Sequence, residues 1–196
     1  MMEIKGDVSN KTRSLIGIVV SRFHKDITDR LLKSALDELH KNGIVDEQII
    51  VFHVPGSWEI PYGARLAARE GSVDGIICLG ALIKGETAHF DIISREMARG
   101  LTLVEETFDI PITFGVLTCS NKEQALARAG GEKGDMGREA ASALLELISI
   151  TEQAWEKLSL TEEGELDEIE DGLLEKELAE EELFDDDDEL EEFFDR

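Results

Sequence analysis

The chain has 196 residues, 42% of them hydrophobic, and its 44 acidic and 20 basic residues give a formal net charge of -24 at pH 7. This length suits one domain with a sizeable core, and the negative charge argues against nucleic acid or an anionic membrane as a partner. The charge is concentrated at one end, because 22 acidic and only three basic residues lie between Glu152 and Arg196. The sequence therefore predicts a domain over 1–158 and an acidic tail over 159–196.

The first half of the chain alternates strand and helix patterns. Leu15–Val20 is a continuous apolar run with β-branched residues, which predicts a strand buried on both faces. Apolar residues at helical spacing over Ile27–Leu39 predict a helix that Gly43 helps to end. A second strand is expected over Ile49–Val54, and a short helix over about Tyr62–Arg69.

The second half repeats the alternation and sets the fold class. Strands are predicted over Gly75–Leu79 and Ile112–Leu117, with an irregular loop and a helix over Ile92–Val104 between them. Helices over Lys122–Arg128 and from Asp135 to about Leu158 complete the pattern. These elements predict an α/β fold of three layers, in which an open four-stranded parallel sheet carries helices on both faces. Ligands of such sheets bind at the carboxyl ends of the strands.

The loops after the first two predicted strands carry groups suited to a planar, polar ligand. Phe23 follows the first strand and offers a stacking face, although a ring folded back over the helix start is an equally good interpretation from this residue alone. The second loop, Val54–Pro61, holds Ser57, Trp58 and Glu59 between two prolines. It offers a second aromatic face and an anionic hydrogen-bond acceptor.

The loop after the third strand combines an anion site with a titratable group. Gly85, Glu86 and Thr87 precede a helix, and free backbone N–H groups at a helix start bind anions. The Glu86 carboxylate fits such a site only when its side chain points away. His89 is the histidine best placed for proton transfer, whereas the other three are interpreted as surface or strand-end residues.

The remaining patterns predict no metal and no cofactor. Neither the four histidines nor Cys78 and Cys119 have metal-ligand spacing, and no dinucleotide or phosphate-loop fingerprint follows a strand. The two cysteines lie in apolar runs and form no disulfide framework, which favours a reducing cytoplasmic compartment. No apolar run has the length of a membrane span or of a secretory signal, so we expect a soluble cytoplasmic protein.

Taken together, the loops resemble those of the lumazine synthase family, from about Leu15 to Ile150. Any one of the motifs is weak evidence, but their order and spacing make the resemblance specific. They are Gly17–Val20 with Arg22-Phe23, Val54–Pro61, Leu79–Phe90, Phe114–Thr118 and Arg128–Gly130.

The resemblance implies a flavodoxin-like fold and a role for each loop residue. On the ring side, Phe23 stacks on a pyrimidine, while the ribityl chain and the ring edge are bound by Ser57, Trp58, Glu59 and the backbone of Leu82 and Ile83. On the phosphate side, Gly85, Glu86 and Thr87 cradle the phosphate and His89 moves protons. A neighbouring subunit supplies Phe114 and Arg128, the latter as a phosphate clamp joined by Lys133.

The resemblance also implies a reaction and an assembly. The family condenses 5-amino-6-(D-ribitylamino)uracil with 3,4-dihydroxy-2-butanone 4-phosphate to give 6,7-dimethyl-8-ribityllumazine in riboflavin biosynthesis, without a cofactor. Its sites lie between the subunits of a pentamer, and pentamers often form hollow icosahedral shells. The short Gly130–Gly137 connection is compatible with such a shell, since the resemblance associates a longer connection there with free pentamers, but the sequence leaves the choice between shell and pentamer open.

Three positions depart from the family pattern. His24 stands where the family commonly has Asn after the Arg-Phe pair. Glu132 occupies the place of a phosphate-side Lys, with Lys133 one residue later. Met136 replaces the Lys of a Gly-Asn-Lys-Gly segment, which here begins with Gly134-Asp135. Either the loop shifts to present Lys133 or that contact with the phosphate is lost.

Two alternatives and the tail remain open from the sequence. An archaeal type of riboflavin synthase resembles this family, and a shell or binding protein without turnover would keep the same fold. The tail is interpreted either as a disordered solubilising segment or as a partly helical segment that docks on an unidentified partner. Leu166, Ile169 and Leu173 at near-helical spacing favour docking, and the terminal Phe193-Phe194 would suit it.

Overall fold

A computed structural model describes residues 3–8, 14–69 and 73–159 of the chain, and its centre is a sheet of four parallel strands. The sheet order is β2-β1-β3-β4, so the two longest strands are neighbours. The fully buried pattern of β1 follows from its apolar run, because helices cover both faces. The strands are β1 (Ile16–Ser21), β2 (Ile49–Val54), β3 (Gly75–Ile83) and β4 (Ile112–Cys119).

Helices connect the strands and cover both faces of the sheet. Residues 136–159 are helical as well, and we call 136–151 helix α5. One face packs against α1 and α5 through Leu31 and Leu144, and the other packs against α2 and α3 through Ile60 and Met97. This arrangement confirms the predicted three-layer α/β fold. The other helices are α1 (Lys25–Lys41), α2 (Ile60–Arg69), α3 (His89–Phe108) and α4 (Lys122–Arg128).

The segment after Leu79 differs from the prediction. We expected an irregular loop from Gly80, but β3 continues to Ile83 because β4 also continues, to Cys119. Their ladder runs without interruption to the pair Ile83–Cys119. Likewise, α3 begins at His89 rather than at Ile92, so the loop between β3 and α3 shrinks to residues 84–88.

A two-stranded hairpin joins α4 to α5 and was not predicted. Its strands, β5 (Ala129–Gly131) and β6 (Gly134–Asp135), are antiparallel. Gly130 and Gly134 have φ angles of 79° and 122°, which favour glycine. The Lys133 N–H donates to the Ala127 carbonyl at 2.8 Å and ties the turn to α4.

The chain divides into two units, Met1–Thr151 and Glu152–Arg196. Of the second unit, residues 152–159 are described and are helical. The predicted acidic tail lies, but for its first residue, outside the described residues, as do the docking and disorder hypotheses for it. Within the described ranges, no helix combines the length and apolarity that crossing a membrane requires.

Candidate active site

A cleft of about 510 Å³ opens at the carboxyl ends of β1, β2 and β3, where the fold class places ligand sites. It gathers residues from three of the loops that the sequence singled out, which are far apart along the chain. The lining residues are Phe23, Gly56, Ser57, Trp58, Glu59, Ala81, Leu82, Ile83, Gly85, Thr87, His89, Phe90 and Ile93.

Two exposed aromatic rings flank this cleft. Phe23 follows β1 and is 62% exposed, and Trp58 is 53% exposed in a 3-10 turn over Ser57–Glu59. Large aromatic side chains are usually well buried, so two such rings in one open cleft indicate a surface that a ligand or another chain covers. Their faces suit a planar heterocycle.

Ser57 brings an unused hydroxyl to the cleft. Its side chain is 6% exposed, and its Oγ has no hydrogen-bond partner among the described residues. An unpaired buried hydroxyl is unfavourable unless a ligand or a water satisfies it. The next residue but one, Glu59, is half-buried. Gly56 leaves room for its carboxylate, because a Cβ at position 56 would lie 3.1 Å from Glu59 Oε2.

Among the described residues, no strand pairs with β3 along one side of the cleft. The ladder between β1 and β3 ends at the pair Val20–Leu79, whereas β3 continues to Ile83. The Lys84 N–H donates to the Cys119 carbonyl at 2.9 Å, so the even-numbered residues of β3 face β4. Because alternate residues of a parallel strand bond to opposite neighbours, Ala81 and Ile83 direct their N–H and C=O groups to the open side. Leu82 contributes its side chain instead.

The residues that the sequence predicts to bind a phosphate lie at the start of α3, at one end of the cleft. This helix has 20 residues, and its first N–H groups have no carbonyl partner within the helix. Thr87 Oγ1 accepts the His89 N–H at 3.4 Å and shapes the turn. Gly85, Thr87 and His89 line the cleft, whereas Glu86 is exposed and does not. The Glu86 carboxylate therefore does not occupy the part of the cleft where the sequence predicts an anion site.

Four residues that the sequence assigned to the site do not line the cleft of their own chain. Besides Glu86, the residues Phe114, Arg128 and Lys133 are absent from the cleft lining. Phe114 is the third residue of β4 and is 43% exposed. Arg128 ends α4, where its Nη1 donates to the Gln124 carbonyl at 3.0 Å, and Lys133 is in the exposed hairpin turn.

The sequence missed four lining residues. Phe90 and Ile93 follow His89 and have the helical spacing of the other apolar residues of α3. That spacing could have predicted that they lie beside His89. Ala81 contributes main-chain groups and Gly56 leaves space for a neighbouring side chain. Neither contribution produces a side-chain pattern in the sequence. The structure has no cluster of three or more His, Cys, Asp or Glu side chains suited to a metal ion within its described residues.

The fold and the cleft define a parallel α/β protein with a small-molecule-sized cleft at the strand ends, where exposed aromatic rings and the start of a helix meet. Comparison with known proteins narrows this class. The family model described as 6,7-dimethyl-8-ribityllumazine synthase matches residues 14–152, so the chain belongs to the 6,7-dimethyl-8-ribityllumazine synthase family, enzymes of riboflavin biosynthesis. The resemblance stated from the motifs is confirmed.

Two curated relatives carry the same name. The chain is 44% identical to 6,7-dimethyl-8-ribityllumazine synthase of Protochlamydia amoebophila over 153 residues, which cover 78% of this chain and 88% of the relative. It is 42% identical to the protein of that name from Nautilia profundicola over 150 residues, which cover 76% of this chain and 97% of the relative.

Proposed function

We propose that this chain condenses 5-amino-6-(D-ribitylamino)uracil with 3,4-dihydroxy-2-butanone 4-phosphate to give 6,7-dimethyl-8-ribityllumazine, phosphate and water. The observation that carries the proposal is the cleft itself, in which ring-binding and anion-binding groups converge. Membership of the family supplies the identity of the two substrates.

The pyrimidine occupies the aromatic end of the cleft in this proposal. Phe23 stacks on the ring, and the free backbone groups of Ala81 and Ile83 bond to its edge. The ribityl hydroxyls satisfy Ser57 Oγ, which otherwise has no partner among the described residues, and donate to the Glu59 carboxylate. Trp58 covers the ring edge and the chain.

The phosphorylated butanone occupies the other end. Its phosphate accepts hydrogen bonds from the Thr87 hydroxyl and from N–H groups around Gly85 and the start of α3, where the helix dipole favours negative charge. The pyrimidine amine then attacks the ketone beside it, and an imine forms as the carbonyl oxygen leaves as water. Holding both reactants in one cleft replaces a bimolecular encounter, which is a large part of the rate gain.

His89 moves the protons of the later steps. It lines the cleft at the first residue of α3, beside the site proposed for the phosphate. As a base it removes the proton whose loss accompanies phosphate departure, and as an acid it assists loss of water on ring closure.

A neighbouring copy of the chain completes the site. Phe114 and Arg128 lie outside the cleft of their own chain, and Phe114 is an exposed aromatic on an edge strand. In a pentamer each cleft receives these two residues from the next subunit, and Arg128 clamps the phosphate. The exposed Lys133 turn joins this contact. We propose a cytoplasmic homo-pentamer, alone or within an icosahedral shell.

The proposal is tested by following lumazine absorbance with both substrates, against the uncatalysed background. We expect His89→Ala to lower kcat about 10²-fold, the low end for general acid–base catalysis, because water can reach this exposed position. Arg128→Ala should mainly raise KM for the phosphorylated substrate. The matched control is His40→Ala, since His40 pairs with Asp46 outside the cleft. A wild-type rate no higher than the uncatalysed background would reject the proposed enzyme activity. Formation of riboflavin from lumazine alone would show instead that the protein is a riboflavin synthase.

A further inference from the structure

The turn after β1 places two consecutive rings in contact. The ring centroids of Phe23 and His24 are 4.5 Å apart, and the ring planes meet at 66°. This edge-to-face arrangement is one that aromatic pairs favour. Phe23 is otherwise largely exposed, and within the described ranges no other ring contacts it. The His24 ring therefore restricts the rotamers that Phe23 can adopt.

The backbone conformation of His24 makes this contact. Neighbouring side chains of an extended chain point to opposite sides, but His24 has φ 57° and ψ 51° and breaks the alternation. The turn is fixed on both sides. The Arg22 N–H donates to the Val54 carbonyl at 2.8 Å, and the His24 carbonyl accepts the N–H groups of Ile27 and Thr28 at 2.8 and 3.0 Å.

The residue type at position 24 has two separable effects. His and Asn both tolerate the left-handed conformation better than most residues, so either one keeps the turn. Only His also supplies a ring that contacts Phe23. The side chain can therefore be exchanged for Asn to remove the ring while the backbone turn is retained.

We propose that His24 is a positioning residue, which holds the Phe23 ring in the orientation that stacks on the heterocyclic substrate. This inference rests on the proposed function for the identity of that substrate. A ring held in place before binding loses less freedom when the ligand arrives, so the contact strengthens binding of the heterocycle. The phosphorylated substrate binds at the other end of the cleft and gains nothing from it.

The test compares wild type with His24→Asn and His24→Phe, with His40→Asn as the matched control. Calorimetry gives the dissociation constant for the ribityl pyrimidine, steady-state assays give KM for each substrate and kcat, and thermal unfolding checks the fold. We expect His24→Asn to weaken pyrimidine binding about two- to tenfold, the range for loss of an aromatic pair. KM for the butanone phosphate and the unfolding midpoint should stay unchanged, and His24→Phe should restore most of the binding.

A double-mutant cycle identifies the route of the effect. In a Phe23→Ala background, His24→Asn should have no further effect on pyrimidine binding, because the ring that it positions is gone. The same loss in both backgrounds would overturn the proposal, as would equal changes in KM for the two substrates. Wild type that binds the pyrimidine but forms no lumazine would reject the proposed function alone, since the cycle depends only on binding. Wild type that does not bind it would reject both.

Discussion

Gly137 of α5 lies directly against the backbone of Leu31 in α1. A Cβ at Gly137 would collide with the Leu31 carbonyl oxygen and would lie 2.9 Å from the Leu31 carbonyl carbon and Cα. The two helices on this face of the sheet therefore approach each other more closely than any side chain at position 137 allows.

We expect Gly137→Ala to lower the free energy of unfolding by about 2–3 kcal/mol, because the methyl group meets main chain that cannot rotate away. Urea unfolding measures the change. Gly85→Ala is the matched control, since a Cβ at Gly85 meets no atom within 4 Å, and its stability should stay within about 0.5 kcal/mol of wild type. A Gly137→Ala protein as stable as wild type would contradict this helix packing.

The proposed sharing of sites between subunits predicts that two impaired variants complement each other when they are assayed with the phosphorylated substrate below the KM of Arg128→Ala. His89→Ala and Arg128→Ala each damage every site when pure, but a mixed ring forms some clefts with an intact His89 and an intact neighbouring Arg128. Co-assembly at equal amounts should make roughly a quarter of the sites wild type, as random placement around a ring requires. Turnover of the co-assembled protein measures this. Activity no higher than the sum of the separate variants would mean that both residues serve the same chain's cleft.

The two thiols should be unreactive in the folded protein. Cys78 is fully buried and Cys119 is 6% exposed. Burial raises the pKa of both thiols, and for Cys119 the nearby Arg128 guanidinium partly opposes the rise. Since the thiolate is the reactive form, a thiol reagent at pH 8 should label neither residue within minutes, and Cys119 before Cys78 on longer exposure. Mass spectrometry assigns the label, and rapid native labelling of Cys78 would contradict the buried position of β3.

The ion pair between Lys122 and Asp26 predicts a pH-dependent stability difference. Lys122 Nζ lies 2.7 Å from Asp26 Oδ2, and its hydrogen bond and charge hold the pKa of the carboxyl below the usual 3.8. A depressed pKa means that the stabilisation is present above the unfolded-state value and is lost as pH falls through the folded-state value.

Asp26→Asn should therefore melt slightly below wild type near neutral pH, and the gap should close below about pH 3.8 or at high salt. Thermal unfolding across pH measures it, and Lys122→Gln should give the same profile. A difference in melting temperature that does not change with pH would show that the Asp26→Asn substitution acts through something other than the loss of the carboxylate charge.

The sheet and the ring side of the cleft were predictable because they depend on local patterns. Apolar patterns located all four strands of the parallel sheet, and the rule for strand ends brought Phe23, Ser57 and Trp58 to one place. The extension of β3 to Ile83 was not predictable, since its residues after Gly80 become a strand only through pairing with β4. The β5–β6 hairpin was missed because strands of two or three residues show no periodicity.

The phosphate side is less accessible to sequence analysis for a different reason. Phe114 lies within a predicted strand, and it is 43% exposed because β4 is at the edge of the sheet. Whether an edge is covered depends on other copies of the chain, which no local pattern records. The same holds for Arg128 and Lys133, whose absence from the lining of their own cleft has no signature in the local sequence.

The four-residue overhang of β3 beyond its pairing with β1 has a consequence for molecular evolution. Hydrogen bonds to main chain do not depend on the side chain, so positions 81 and 83 can change identity without altering what they offer, proline excepted. Their spacing comes from the pleat of the strand. Lengthening β1 by two residues would occupy this edge with another strand, and shortening it would expose more. Under the proposed function, the main-chain groups offered to the substrate therefore depend on relative strand length, a property that insertions and deletions alter and most point substitutions leave intact.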